Sequence, residues 1–374
     1  MATLAFGNYL VDANNPDPEH LCADNQLVRP LPGEARYDAP APLTPAWCAL
    51  SMLFSDWDRS GRRDLRISND RQYYSDLSDG QEQLWRISPG EPPRAYGADD
   101  GWVTYRIQGM GIASYDVTGD GYPDAYLTSQ GPNVLQTLLA GPSKPTFRDI
   151  ALKLGVSATR PSTGGDPLPS TAWHPEFVDV NNDGLIDLFV SKGNIDQQPD
   201  YASKDPSDLF LGQLDGTFVQ AAAAAGIVSF ARGRGASLAD FNLDGLPDLI
   251  EVNYRDPVRL WRNVGSGTAA QPAPMGHWLS LQVSQPGPNR DAIGAWIEVK
   301  VGDQTLRREL TVGGGHASGQ LGWTHVGLGS ADRAQVRVVW PDGEAGPWLD
   351  AIADGFAIIQ RGATAITSWL PPTD

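Results

Sequence analysis

Four nine-residue stretches concentrate carboxylates in this 374-residue chain: DWDRSGRRD from Asp56, DVTGDGYPD from Asp116, DVNNDGLID from Asp179 and DFNLDGLPD from Asp240. Each has Asp at position 1, oxygen-bearing side chains at 3 and 5, and Asp at 9. A hard cation such as Ca2+ takes roughly six to eight oxygens, and this spacing offers them from positions 1, 3, 5 and 9 plus the carbonyl at 7. Three loops supply full ligand sets: Asp116, Thr118, Asp120 and Asp124; Asp179, Asn181, Asp183 and Asp187; Asp240, Asn242, Asp244 and Asp248. In the first loop Asp56, Asp58 and Asp64 remain, but Ser60 replaces the acid at position 5, so lower affinity is expected. A Gly at position 6 permits the sharp turn. An EF-hand would need Glu at position 12 and flanking helices, which these loops lack. One such loop reads equally well as a solvated acidic turn; four in register argue for calcium, about four ions by this count of loops.

The acidic balance fits that reading. Against 28 basic residues stand 45 acidic ones, a formal charge of −17, which four doubly charged cations would bring to −9. Without metal, self-repulsion is expected to loosen the structure. The same field repels phosphate backbones, so no nucleic-acid partner is expected.

The elements that hold the loops recur with them. Successive first aspartates are 60 to 63 residues apart, one supersecondary unit each. Leu84-Trp85-Arg86, Leu135-Gln136-Thr137, Leu209-Phe210-Leu211 and Leu260-Trp261-Arg262 follow the loops as strands, and Thr146-Phe147 and Thr217-Phe218 mark a further strand. With a small-residue strand entering each loop, the unit is a four-stranded blade. Leu4 to Tyr9 and Asn25 to Arg29 suggest another unit whose metal loop is eroded. The expected fold is all-β: a propeller over 1–268, five-bladed or part of a larger ring, with the N-terminal strand completing the last blade, which stops near Gly267. A Gly, Ala and Pro-rich linker spans 265–274. A small β domain follows over 275–374, with strands at 277–284, 295–301, 306–312 and 335–340. Gly313-Gly314-Gly315-His316 reads as a flexible turn, with a ligand loop as the alternative.

Outside the loops, signals of chemistry are sparse. Gly109-Met110-Gly111 and Gly233-Arg234-Gly235 precede Asp loops without a following amphipathic helix, so close strand packing explains them better than dinucleotide binding. No HExxH, GxSxG or P-loop pattern occurs. His174 stands where the other units have Ser51, Gly111 and Gly235, on strands expected to line a channel. With Trp173, Glu176 and Arg234 it forms either a structural cluster or a pocket able to do acid-base work. The twelve tryptophans read mainly as packing residues, exposed ones being able to stack on flat ligands. Cys22 and Cys48, the two cysteines, suit a disulfide in an oxidising compartment, with two buried thiols as the alternative. The N-terminal residues carry neither a signal peptide nor a membrane span, which leaves open an export leader removed from the chain.

The Asp loops and their strands resemble the FG-GAP or VCBS calcium repeats of integrin-type propellers. Asn289-Arg290-Asp291-Ala292-Ile293-Gly294-Ala295, Gly327-Leu328-Gly329 and Val339-Trp340-Pro341-Asp342-Gly343 resemble the ASPIC/UnbV domain of the cartilage acidic protein (CRTAC) family. The resemblance implies a secreted or periplasmic, calcium-binding matrix or cell-surface module, although some relatives are reported as cyclisation enzymes. Two functions follow as expectations. The first is a non-enzymatic calcium-dependent scaffold that binds protein or glycan. The alternative is a calcium-dependent enzyme that uses a channel pocket on a small molecule, such as a cyclase.

Overall fold

The structure is a computed structural model that describes residues 4–9, 22–31, 33–70, 80–157, 168, 170–195, 201–202, 204–316, 319 and 321–371. Five antiparallel sheets follow one another along the chain. The first holds β1 (Leu4–Tyr9), β2 (Cys22–Val28) and β3 (Ala41–Leu43); the second β4 (Ala49–Ser55), β5 (Asp64–Asn69), β6 (Gln83–Arg86) and β7 (Arg94–Ala95). The third holds β8 (Gly109–Tyr115), β9 (Asp124–Ser129), β10 (Val134–Leu138) and β11 (Phe147–Asp149). The fourth has β12 (Ala172–Val178), β13 (Asp187–Lys192), β14 (Asp208–Gly212) and β15 (Phe218–Gln220); the fifth has β16 (Gly233–Ala239), β17 (Asp248–Asn253) and β18 (Arg259–Trp261). Among the described residues no sheet closes on itself. Contrary to expectation, β1 pairs with β2, from Leu4 opposite Val28 to Tyr9 opposite Cys22, and the last sheet keeps three strands. Consecutive strands pair more often than distant ones, and β1 follows that preference.

Alternation along the strands explains how the sheets stack. Leu188 and Val190 of β13 join a core with Tyr126 and Leu135 of the third sheet, whereas Phe189 between them joins Leu238 and Leu249 of the fifth. In β5, Leu65 and Ile67 face Leu27 and Leu43 of the first sheet. Arg66 points the other way, its guanidinium 4.8 Å from the Phe147 ring centre. Successive side chains of a strand point to opposite faces, so each inner sheet contributes to two cores, one on each side. The first strands lie side by side in chain order, β1 by β4, β4 by β8, β8 by β12 and β12 by β16. Glycine is needed at these joints: a Cβ on Gly109 would overlap Ser68 and Glu82, one on Gly111 the Trp173 carbonyl, and one on Gly233 Ser191 and Glu251. That fits the packing reading at Gly109, Gly111 and Gly233.

Residues 265–274 form a compact turn in which Gly265 bridges to Ala273 and Thr268 and Gln271 exchange main-chain hydrogen bonds. Beyond it come β19 (His277–Ser284), β20 (Trp296–Val301), β21 (Gln304–Glu309), β22 (Thr324–Gly329), β23 (Arg333–Val339), β24 (Leu349–Ile352), β25 (Gly355–Gln360) and β26 (Thr367–Trp369). They make two four-stranded sheets, β22-β19-β25-β26 and β21-β20-β23-β24, with one core of Leu279, Leu281, Ile297, Val299, Val336 and Ile359 between them. β19 and β25 run parallel. Cys48 is disulfide-bonded, and Cys22 is the chain's only other cysteine. Among the described residues no helix is long and apolar enough to cross a membrane.

Candidate functional site

Each Asp loop joins the first strand of a sheet to its second, and a ladder pair closes it: Ser55 with Asp64, Tyr115 with Asp124, Val178 with Asp187, Ala239 with Asp248. The glycine at position 6 has positive φ in all four copies, at Gly61, Gly121, Gly184 and Gly245. Its N–H donates to Oδ2 of the position-1 aspartate, at 3.0 Å for Asp56 and Asp116 and 2.8 Å for Asp179 and Asp240. Position 4 is also left-handed, at Arg59, Gly119, Asn182 and Leu243. That requirement was hidden in the sequence by the variety of residue types meeting it: Gly119 and Asn182 are conventional signals, Arg59 and Leu243 are not.

The remaining expected ligands fall into the same frame. Oδ1 of Asp58, Asp120, Asp183 and Asp244 accepts a main-chain N–H two residues on. Asn181 and Asn242 donate Nδ2–H to Asp183 and Asp244, and Ser60 Oγ accepts from the Arg62 N–H. The position-9 carboxylates tie loop to sheet. Asp124 accepts from the Thr118 N–H, Asp187 from the Val180 and Gly212 N–H groups, and Asp248 from those of Phe241 and Asn263.

Do these loops suit calcium? Oδ1 of Asp56, Asp116 and Asp179 is buried without a hydrogen-bond partner, an oxygen at position 1 left over for a cation. Burial pushes Asp56 and Asp116 up to about 6, Asp124 and Asp179 to about 7 and Asp187 to about 8; Asp240 and Asp248 are also raised by burial. Such shifts mark carboxylates taken out of water without a matching positive charge. Among the described residues no three His, Cys, Asp or Glu side chains gather into a cage of their own. A loop site would draw its other oxygens from Thr118, Asn181 or Asn242 and from main-chain carbonyls.

The C-terminal sandwich sits on these loops, a placement no sequence signal announced. Glu309 accepts from the Asp56 N–H at 2.9 Å and from Ser55 Oγ at 2.8 Å, and Arg59 reaches Glu298 at 2.9 Å and lies over Trp296. Arg307 comes within 3.8 Å of Asp116. Asn182 Oδ1 lies 2.6 Å from His325 Nε2, and the Asn182 carbonyl accepts from the Gly329 N–H at 2.9 Å. Gly245 packs so closely on Trp278 that a Cβ would overlap the indole. Burial holds His325 down at about 3 and pushes Glu309 up to about 8.

Gly313 to His316 is a docked wedge. Its Gly314 N–H donates to Met52 at 2.9 Å and its carbonyl accepts from Ser51 Oγ. A Cβ on Gly313 would lie 2.6 Å from the Met52 carbonyl, and one on Gly314 2.5 Å from that of Ile112. His316 packs on Trp173 with ring centres 4.7 Å apart and planes tilted by 50°, and burial lowers it to about 4.

Beside this wedge a cavity of about 530 Å³ opens between the sheets and the sandwich. His174 and Glu176 of β12 line one side; Arg308, Glu309, Trp323 and Phe356 of the sandwich line another. His174 and Glu176 are both buried, with Nε2 3.2 Å from Oε2, and Glu176 also accepts from the Leu238 N–H. The ladder shifts register between Ala172 and Pro175, as it does in the other first strands, and this irregularity sets how residues 173 and 174 project. Arg234 does not join the pair. It stacks over Trp173 at 4.0 Å and donates to the Gly193 and Asn194 carbonyls. A buried histidine–carboxylate pair facing a mixed polar and aromatic cavity can bind a polar ligand or move a proton.

Residues 285–364 match the ASPIC and UnbV family. The chain is 26% identical to mouse cartilage acidic protein 1 over 66% of its own length and 37% of that protein's, and 26% identical to the human protein over 61% and 35%. It therefore spans about a third of the length of these relatives. The resemblance to the cartilage acidic protein family is borne out. A solved Agrocybe aegerita lectin, described by its recognition of non-reducing terminal N-acetylglucosamine, superposes with a TM-score of 0.34 at 14% identity over 94% of this chain and 80% of its own, too loosely to carry an argument.

Proposed function

We propose that this cartilage-acidic-protein-like chain is an exported, calcium-stabilised binding module: a propeller whose loop face is capped by the C-terminal sandwich, with a protein or glycan group engaged at the cavity between them. The observation that carries the reading is the seating of the sandwich on all four Asp loops around a cavity of about 530 Å³. Five sheets stacked through cores on alternate faces, first strands in chain order, support the propeller. The disulfide at Cys48 supports an oxidising compartment. Bound calcium would supply the countercharge that the buried loop carboxylates lack and join positions 1, 3, 5 and 9.

Thermal unfolding with calcium and with excess chelator tests this, because a ligand bound only by the folded state raises the melting temperature. A fall on the order of 10 °C on chelation is expected for several sites acting together. An unchanged melting curve would mean that the loops are acidic turns.

A second reading, catalysis on a small molecule, is favoured by one specific observation: the His174–Glu176 pair faces the cavity. It requires that His174→Ala abolish turnover of a candidate substrate while leaving the melting temperature in calcium within a few degrees. Unchanged turnover removes the pair from any catalytic role.

A further inference from the structure

The four loops share one backbone frame, yet the first is filled differently. Its position 7 is Arg62, where the others have Tyr122, Leu185 and Leu246; its position 2 is Trp57, where the others have Val117, Val180 and Phe241. The Arg62 side chain folds back over its own loop. Its guanidinium lies 3.0 Å from Asp64 Oδ1 through Nε, and Nη2 is 3.3 Å from Asp64 Oδ2, 3.4 Å from Asp58 Oδ2 and 3.2 Å from the Tyr96 hydroxyl. Trp57 Nε1–H and the Tyr96 hydroxyl donate to Asp64 Oδ2 at 2.9 and 2.7 Å, and the Ile87 N–H donates to Oδ1 at 3.1 Å.

An ionised carboxylate offers about four acceptor sites. Asp64, fully buried, receives five contacts from Trp57, Tyr96, Ile87 and Arg62, so none of its sites is left for a metal. Asp187 and Asp248 each accept one main-chain N–H per oxygen and keep half their capacity. Position 5 of the first loop is the neutral Ser60. The loop has thus lost the acid at 5 and the free lone pairs at 9, and has gained a fixed positive charge between positions 3 and 9.

We propose that Arg62 is the first loop's built-in cation. It bridges and neutralises positions 3 and 9 as a metal would, leaving at position 1 only the unpartnered Oδ1 of Asp56, a single oxygen that cannot hold calcium by itself, so the first loop is closed without calcium while the other three take one ion each. This rests on the calcium reading given above. It implies that the sheet bearing the first loop, and the Arg59–Glu298 and Asp56–Glu309 contacts with the sandwich, persist when calcium is withdrawn.

The test is calcium stoichiometry of the full chain, stripped by chelator and titrated at equilibrium with radioactive calcium. Three ions per chain are expected, and Arg62→Ala should raise the number to four. Arg59→Ala, which removes a neighbouring positive charge that lies on Glu298 instead, should leave three. Should Arg62→Ala fail to fold, Tyr122→Arg provides the reciprocal: an arginine at position 7 of the second loop should lower the count to two. Four ions on the unaltered chain, an Arg62→Ala protein that stays at three, or a Tyr122→Arg protein that keeps three would each overturn the proposal. No calcium on any variant would overturn the underlying reading as well, a distinguishable result.

Discussion

The five stacked sheets and the C-terminal sandwich are both all-β, but they bury their side chains in opposite ways. In the sandwich, one core lies between two sheets and strands such as β23 alternate inward Ala334, Val336 and Val338 with more exposed Arg333, Gln335 and Arg337. In the stack, β5, β9 and β13 are buried along their whole length, because each sheet has a neighbour on both faces. A strand with no solvent face must place its polar groups inside. That is why the stack holds buried charges such as Lys192 between Asp205 and Asp208, at 2.8 and 3.0 Å. Sandwich strands keep their charges at the rim or pair them within the sheet and across the seat, as Glu298 does with Arg337 and with Arg59. The stack is thus sensitive along the whole length of these inner strands, the sandwich chiefly at its single core and its seat.

The largest effect should come from a residue shared by two sheets. Phe189→Ala, which removes a fully buried ring linking the fourth and fifth sheets, is expected to cost about 3–5 kcal/mol, read as a lowered urea midpoint. A loss under about 1 kcal/mol would show that the stack relaxes around the hole and that the contrast is wrong. At the seat, Gly314→Ala should cost about 2 kcal/mol, because the added methyl meets the Ile112 carbonyl. Its signature should be faster cleavage of residues 265–274 by added protease with the stack intact; simultaneous loss of both parts would mean that the wedge is part of the stack. Glu298→Gln should cost only about 1 kcal/mol, since its arginine partners are partly exposed and screened. Burial raises Glu298, but hydrogen bonds from Arg59 and Arg337 prevail and hold it below its usual range. Its contribution is therefore lost on acidification, and the mutant should differ from the parent less at pH 3 than at pH 7.

The smallest effect concerns His325, held at about 3 against an ordinary 6.5. A freed imidazole takes up a proton below pH 6.5 that the seated one refuses, so seating weakens as pH falls through that value toward 3. His325→Gln, which can still hydrogen-bond Asn182, should flatten the pH dependence of sandwich release between pH 7 and 5. Identical profiles for mutant and parent would remove His325 from the account.

Much of the stack was legible because its signals are local. The recurrence of Asp loops every 60 to 63 residues located the second to fifth sheets, and the Leu-Trp-Arg-like triplets became β6, β10, β14 and β18. The sandwich was read less well. Four of its eight strands were expected, while β22, β24, β25 and β26 were not, being short or broken by Gly, Asp and Trp. Gly313 to His316 was misread as a flexible turn because three consecutive glycines look the same whether a chain must bend or must pass close to another backbone. The separation of Arg234 from His174 and Glu176 was beyond sequence as well: residue order places all three on first strands, but the ladder shift decides which way each points.

What the sequence determined by itself is the frame of the loops: which oxygens stand at positions 1, 3, 5 and 9, and that a glycine must turn the chain between them. Hydrogen bonds within nine residues enforce that frame wherever the chain is folded. Only the tertiary structure decided what faces the frame. The sandwich seated on all four loops, the cavity at His174 and Glu176, and Asp64 filled by Tyr96 and Ile87 join residues 20 to 300 positions apart, and their distances follow from how two sets of sheets pack, which no local pattern encodes.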